Sequence, residues 1–278
     1  MILGAGCWYD QAMLPKVLIR GSGDVGSAVA YALFQAQYPV IIHDSTKPSA
    51  TRRTMAFCDA VFDGIATLEG VRGQLFDDMA ELAARLEAHD LIPVTTMEIS
   101  GVLAALKPEV LVDARMRKHD RPEVQISLAA FTVGLGPNFV AGETVHAAVE
   151  TGWNEELGHI IWKGAPRPLE GEPQTIAGHA RDRYVYAPAA GLFRTALRIG
   201  DLVSEGQVVA RVDDVDLLAP IDGMLRGLTH DNVPVAKRAK VIEVDPRGAQ
   251  APIAGIAERP GRIARGVLTA VQTWWQSS

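Results

Sequence analysis

The stretch VLIRGSGDVGSAVAYAL, Val17–Leu33, carries an apolar segment into three glycines and then into a helical pattern. Gly21, Gly23 and Gly26 have the spacing of a dinucleotide-binding turn, which follows a strand and opens a helix. Gly21 permits the tight turn, Gly23 a close backbone approach, and Gly26 close packing of helix on strand. Asp44 stands 18 residues beyond Gly26, at the end of the next apolar run. A carboxylate there can accept both ribose hydroxyls and favours NAD over NADP. Ser22 and Asp24 complete the turn. Asp24 sits where an incoming phosphate would meet the helix start, and its carboxylate can cap the helix or point aside.

Outward from this turn, VLIRG, PVIIHD (Pro39–Asp44), DLIPVTT (Asp90–Thr96) and EVLVDAR (Glu109–Arg115) read as strands. SAVAYALFQAQ, TRRTMAFCDAVFDG, MAELAARLEAH and SGVLAALKP lie between them, with apolar residues at helical spacing. This alternation predicts α/β architecture: a Rossmann-like parallel sheet, covered on both faces, over residues 1–122. Residues 123–182 read as a connecting segment with Gly/Pro loops. In it, FTVGLGPNFVAG (Phe131–Gly142) is expected to be a tight loop with little regular structure, and Leu157–Lys163 has a strand pattern.

Residues 183–248 hold an internal repeat. Ala187–Val212 aligns without gaps on Ala219–Val244 at an offset of 32, with seven identities that include Pro188/Pro220, Gly191/Gly223 and Arg194/Arg226. Two interlocking hairpin units of this kind resemble the barrel-sandwich hybrid of biotinyl/lipoyl domains. The hairpin between the halves, VDDVDL (Val212–Leu217), has no lysine for a swinging arm, so a structural or docking role is expected. Residues 249–278 read as a helical tail whose adjacent Trp274 and Trp275 are expected to dock on another surface.

The 278 residues carry a formal charge of −6, which argues against a general nucleic-acid binder. Neither a signal peptide nor an apolar run of about 18 residues is present, and Cys7 and Cys58 make no disulfide framework. A cytoplasmic protein without membrane contact is expected. Arg52 and Arg53 follow the second strand, and Arg115 and Arg117 end another, positions suited to a phosphate or carboxylate or equally to solvent. Cys58 is a core residue or, less simply, a thiolate. The histidines form no metal-ligand spacing, and no residue stands out as catalytic.

Four stretches taken in order resemble one family: LIRGSGD (Leu18–Asp24), ATRRTMAFCDAVFDG (Ala50–Gly64), VGLGPNFVAGETVHAAVET (Val133–Thr151), and IDGMLRGL (Ile221–Leu228) with VDPRG (Val244–Gly248). The chain resembles the YqeB-type accessory proteins of selenium-dependent molybdenum hydroxylase systems, which are linked in role to the xanthine dehydrogenase accessory factors. The resemblance implies maturation of a molybdenum hydroxylase apoenzyme and binding of a nucleotide-bearing cofactor such as molybdopterin or its dinucleotide. Gly21, Ser22, Gly23, Asp24, Gly26, Asp44, Arg52, Arg53 and Arg115 would hold that phosphorylated ligand, with Gly134 and Gly136 in a loop closing over it. An NAD-dependent oxidoreductase and a non-catalytic scaffold docking a partner enzyme are the alternatives.

Overall fold

The computed structural model describes residues 14–117, 121–168 and 173–278; Cys7 lies outside them. A central sheet is built from β1 (Val17–Arg20), β2 (Val40–His43), β3 (Ile65–Leu68), β4 (Val71–Leu75), β5 (Ile92–Thr95), β6 (Val110–Asp113), β7 (Phe131–Leu135), β8 (Ala147–Val149) and β9 (Ile160–Ile161). The order across its nine strands is β3-β4-β5-β2-β1-β6-β7-β8-β9. Pairing is parallel from β4 to β8 and antiparallel at both edges, β3 on β4 and β9 on β8.

Alternation along the strands sorts the core onto two faces. Leu18, Ile41 and Leu111 face α3 (Met79–Ala88) and α4 (Ile99–Leu106) through Leu82, Leu86 and Val102. Val17, Ile19, Val40, Ile42, Val110 and Val112 face the opposite way, toward α1 (Asp24–Gln35) and α5 (Glu258–Ser277). The α5 helix buries Ile263, Ala264, Val267, Ala270 and Val271, a stripe at 3–4 spacing. Each Ile or Val side chain so buried contributes roughly 1.5–3 kcal/mol of transfer free energy. Trp274 stacks on Phe131, ring centroids 5.1 Å apart and planes 4° from parallel. A short helix, α2 (Ala60–Asp63), precedes β3.

The remaining strands are β10 (Tyr184–Tyr186), β11 (Gly191–Arg194), β12 (Leu202–Val203), β13 (Val208–Val212), β14 (Val215–Leu218), β15 (Gly223–Leu228), β16 (Val233–Val235) and β17 (Lys240–Asp245). They form two four-stranded sheets, β10-β17-β15-β12 and β14-β13-β11-β16. The 32-residue repeat places β11, β12 and β13 in register with β15, β16 and β17. The trio β13-β11-β16 in one sheet therefore corresponds to β17-β15-β12 in the other. Each half lends its middle strand to the sheet of its partner, and Phe193, Leu225, Leu228 and Val241 fill the space between.

These observations correct the expected fold class. The expected Rossmann-like parallel sheet is instead a mixed sheet that draws β7, β8 and β9 from residues 123–182 and its covering helix α5 from the far end of the chain. The region expected as a biotinyl/lipoyl-like barrel is two antiparallel sheets, one of them extended by β10 and the other by β14. Phe131–Leu135, expected as loop, is a fully buried strand. Gly134 misled because its role is packing: a Cβ there would lie 2.3 Å from the Phe139 ring. Among the described residues no helix is long and apolar enough to cross a membrane.

Candidate functional site: a charged seam at the glycine turn

The register of β1 against β2 and β6 sets Arg20, His43 and Asp113 in one row at the C-terminal ends of the strands. The glycine turn leaves that row. Gly21 has φ +110°, and a Cβ on it would meet the Ala114 backbone at 3.0 Å. A Cβ on Gly26 would come 2.0 Å from the Gly21 carbonyl oxygen, so α1 can rest on the turn only with glycine at that position. Ser22 is buried, and its N–H and hydroxyl both donate to Asp44 Oδ2 at 2.6 Å. Asp44 Oδ1 accepts from Ser45 N at 2.7 Å. The carboxylate thus holds the turn closed, with both oxygens already engaged.

At the start of α1, Gly23 is the cap residue and supplies no side-chain acceptor. Asp24 Oδ1 accepts from Val25 N at 3.0 Å, and its Oδ2 pairs with Arg52 at 3.3 Å. Arg52 then turns its planar fork onto Glu243 of β17, Nε to Oε2 and Nη2 to Oε1, both at 3.0 Å. Glu243 is fully buried and accepts three more cations: Arg183 at 2.7 Å, Lys240 at 2.9 Å and Arg226 at 3.3 Å. Tyr184 lies beneath two of them, its ring centroid 4.4 Å from the Arg183 guanidinium and 4.5 Å from Lys240 Nζ.

Burial opposes the charge on Glu243, yet Lys240 and Arg52 override it and hold the carboxyl well below the usual carboxylate range. Asp24 follows the same logic: burial pushes up, while Arg52, Arg259 and Lys240 prevail and bring it down. Burial lowers Lys240 in spite of Glu243, and Arg52 adds to that lowering. Burial also lowers Arg259, in the first turn of α5, whose Nε donates to Thr151 O at 2.7 Å. Asp245, the other acid nearby, is taken by the fork of Arg247. Four cations (Arg52, Arg183, Arg226 and Lys240) therefore crowd Glu243, with Arg52 also reaching Asp24 and Arg226 also 3.9 Å from Asp245, while the Asp24 charge acts on Arg259 nearby. Arg183 Nε is buried with no acceptor.

The other sequence-selected residues have different surroundings. Arg53 donates to Leu228 O at 2.8 Å and grips both Asp59 oxygens at 2.7 Å. With Leu228 N donating to Thr51 O at 2.8 Å, it fastens β15 against the loop that carries Arg52. Arg115 is held at the rim by Asp113 and Glu123, alongside Arg20 and Arg117. Gly134 lies in β7 under Phe139, and Gly136 has φ +111° just beyond that strand. The structure thus brings Gly21, Ser22, Gly23, Asp24, Gly26, Asp44 and Arg52 together, turns Arg53 toward the β sheets, and leaves Arg115 in a neighbouring cluster. Cys58 is buried, and burial, then Asp59, pushes its thiol well up. Among the described residues no group of three or more His, Cys, Asp or Glu side chains could hold a metal ion.

Sequence reasoning missed Glu243, Arg183, Arg226, Lys240, Tyr184 and Arg259. One signal was present. Glu243 interrupts the apolar run of KVIEVD, and its counterpart in the repeat is Arg211, so the two halves differ in the sign of charge at that position.

No family model matches the chain. It is similar to YqeB of Escherichia coli (strain K12), an uncharacterized protein, with 39% identity over 255 residues. That alignment covers 92% of this chain and 47% of the relative, so the chain spans about half the length of the curated relative it matches. The likeness supports a YqeB-type chain and does not reach a role in molybdenum hydroxylases. Among solved structures, similarity is found to an aspartoacylase family protein from Mesorhizobium loti, with 13% identity, 83% and 85% of the two chains covered, and TM-score 0.26. A succinylglutamate desuccinylase/aspartoacylase from Rhodobacter sphaeroides gives 17% identity, 83% and 84% coverage, and TM-score 0.24. A succinylglutamate desuccinylase from Silicibacter sp. TM1040 gives 14%, 84% and 85%, and 0.24. At TM-scores this low the likeness defines neither fold nor activity. The Rossmann descriptor expected from sequence is corrected by the mixed sheet, and the comparisons lend no support to molybdenum-cofactor maturation.

Proposed function

We propose that the chain is a binding protein for a phosphate-bearing small ligand, which it takes on the charged seam beside the start of α1. One observation carries this reading: four cations crowd one buried carboxylate, Glu243, next to a helix start whose cap residue is glycine. The buried Nε of Arg183, one of these cations, lacks an acceptor and adds to it. Asp24 serves as an internal anion here, neutralising cations that a ligand phosphate would otherwise meet. In this reading Lys240 and Arg259 supply charge, the α1 N–H groups supply direction, and Asp44 keeps the turn in shape. The proposal is one of binding: Asp24 and Glu243 are ion-paired and held in the charged form. Hydroxylase maturation rests on sequence resemblance alone and is left aside.

The test uses Asp24→Asn, which removes the internal anion while keeping its shape. Inorganic pyrophosphate and NAD are titrated by calorimetry and by thermal shift. Asp24→Asn is expected to bind pyrophosphate about 5–10-fold more tightly, equivalent to about 1–1.4 kcal/mol, and Arg259→Ala is expected to weaken it. Unchanged or weaker binding in Asp24→Asn would sink the proposal. Tight NAD binding without pyrophosphate binding would move the ligand to the dinucleotide as a whole.

A further inference from the structure

A second feature begins one turn further along α5 from Arg259 and is built from other residues. The β9 strand is the last of the central sheet, so one of its edges has no partner strand among the described residues. Beside it, α5 crosses the β8–β9 turn at backbone contact: a Cβ on Gly266 would lie 2.1 Å from Gly158 O, and one on Gly158 would lie 2.6 Å from Arg262 O. This close crossing leaves an open groove of about 540 Å³ between strand and helix. Arg262 and Arg265, one turn apart on α5, form one wall, and His159, Ile160 and Trp162 form the other. Trp162 is 47% exposed.

The charges here differ from those at the glycine turn and around Glu243. Arg20, Arg52, Arg53, Arg115, Arg183 and Arg226 each pair with a carboxylate. Arg262 and Arg265 enter no ion pair among the described residues, and none of the nine residues lining the groove is acidic. On a chain whose formal charge is −6, this is a local cationic trough. It combines paired guanidinium groups suited to carboxylates, an exposed indole, and a strand edge.

We propose that this groove docks an extended acidic segment of a partner protein, laid along β9 with carboxylates on Arg262 and Arg265 and an apolar side chain against Trp162. Charge complementarity selects the partner, and the strand edge selects its extended form. A free small anion would satisfy the guanidinium groups but has no use for the indole or the edge.

The probe is a fluorescein-labelled peptide of alternating glutamate and valine, followed by anisotropy, with a lysine–valine peptide as control. Saturable, salt-sensitive binding of the acidic peptide alone is expected. The double variant Arg262→Glu with Arg265→Glu should weaken it at least about tenfold. Trp162→Ala should weaken it less, by about threefold, on the apolar half of the contact. Far-UV circular dichroism and the urea midpoint confirm that the variants are folded. Equal binding by the double variant overturns the proposal. So does competition by free glutamate at matched carboxylate concentration, which would mark a small-anion site. Self-association that buries Trp162 and excludes the peptide would overturn it in favour of a second copy of this chain.

Discussion

The two halves of the 32-residue repeat share a strand plan and differ in what surrounds them. Arg194 and Arg226 occupy equivalent positions. The first is 55% exposed and lies 4.0 Å from Asp231. The second is 8% exposed, donates to Pro252 O, and contacts Glu243. Arg211 is 61% exposed and pairs with Asp216, whereas Glu243, its counterpart, is fully buried among four cations. The second half is the one pressed against the loop that carries Arg52, where Gly227 would bring a Cβ within 3.4 Å of Thr51. One backbone plan thus serves two dielectric settings. Where water reaches, ion pairs contribute little; where it does not, removing one partner strands the others.

The largest expected effect breaks the buried half. Glu243→Gln leaves four cations around a neutral amide and should cost about 3–5 kcal/mol of unfolding free energy. Arg211→Gln in the exposed half should cost about 0–1 kcal/mol. Urea unfolding followed by circular dichroism measures both, and equal losses would abolish the contrast. Next, Arg226→Ala should cost about 1.5–3 kcal/mol, the value of a charge-assisted hydrogen bond, against about 0–1 kcal/mol for Arg194→Ala.

A pH series sharpens the same contrast with a smaller signal. Glu243 and Asp24 have folded pKa values held below their unfolded values of about 4. Their stabilisation is therefore complete above the unfolded pKa and is lost as pH falls through the folded one. Wild-type stability should decline below about pH 5, and Glu243→Gln should decline less steeply. Parallel acid limbs in the two proteins would place the acid-sensitive group elsewhere.

Local signals made part of this molecule legible. The apolar runs ending at Arg20, Asp44, Thr96 and Arg115 mark strands, and the glycine spacing marks the turn, because neighbouring residues impose those features. The β3–β4 hairpin was passed over although its two-residue Glu69-Gly70 turn, both with positive φ, is a recognisable hairpin device. The seam was beyond reach for another reason. Arg52 and Glu243 are 191 residues apart, and pairing at that range leaves no periodicity. Only the mismatch between repeat halves, Arg211 against Glu243, pointed to it. Of the outer strands, β9 falls within Leu157–Lys163, whose pattern is that of a strand, whereas β7 reads as loop because Gly134 interrupts its apolar run.

The packing of α5 on α1 has a consequence for how the molecule comes into being. The face of α1 that buries Val25, Ala28, Val29 and Leu33 leaves the ribosome early, whereas Ile263, Val267 and Val271 follow at the other end of the described chain. At ~5–20 residues per second, synthesis takes roughly ten to fifty seconds to cover that interval. Throughout that time the sheet has one bare apolar flank. The glycine turn is thus made well before the helix that completes its flank, and a nascent chain paused before Glu258 would leave that apolar flank for a chaperone to cover.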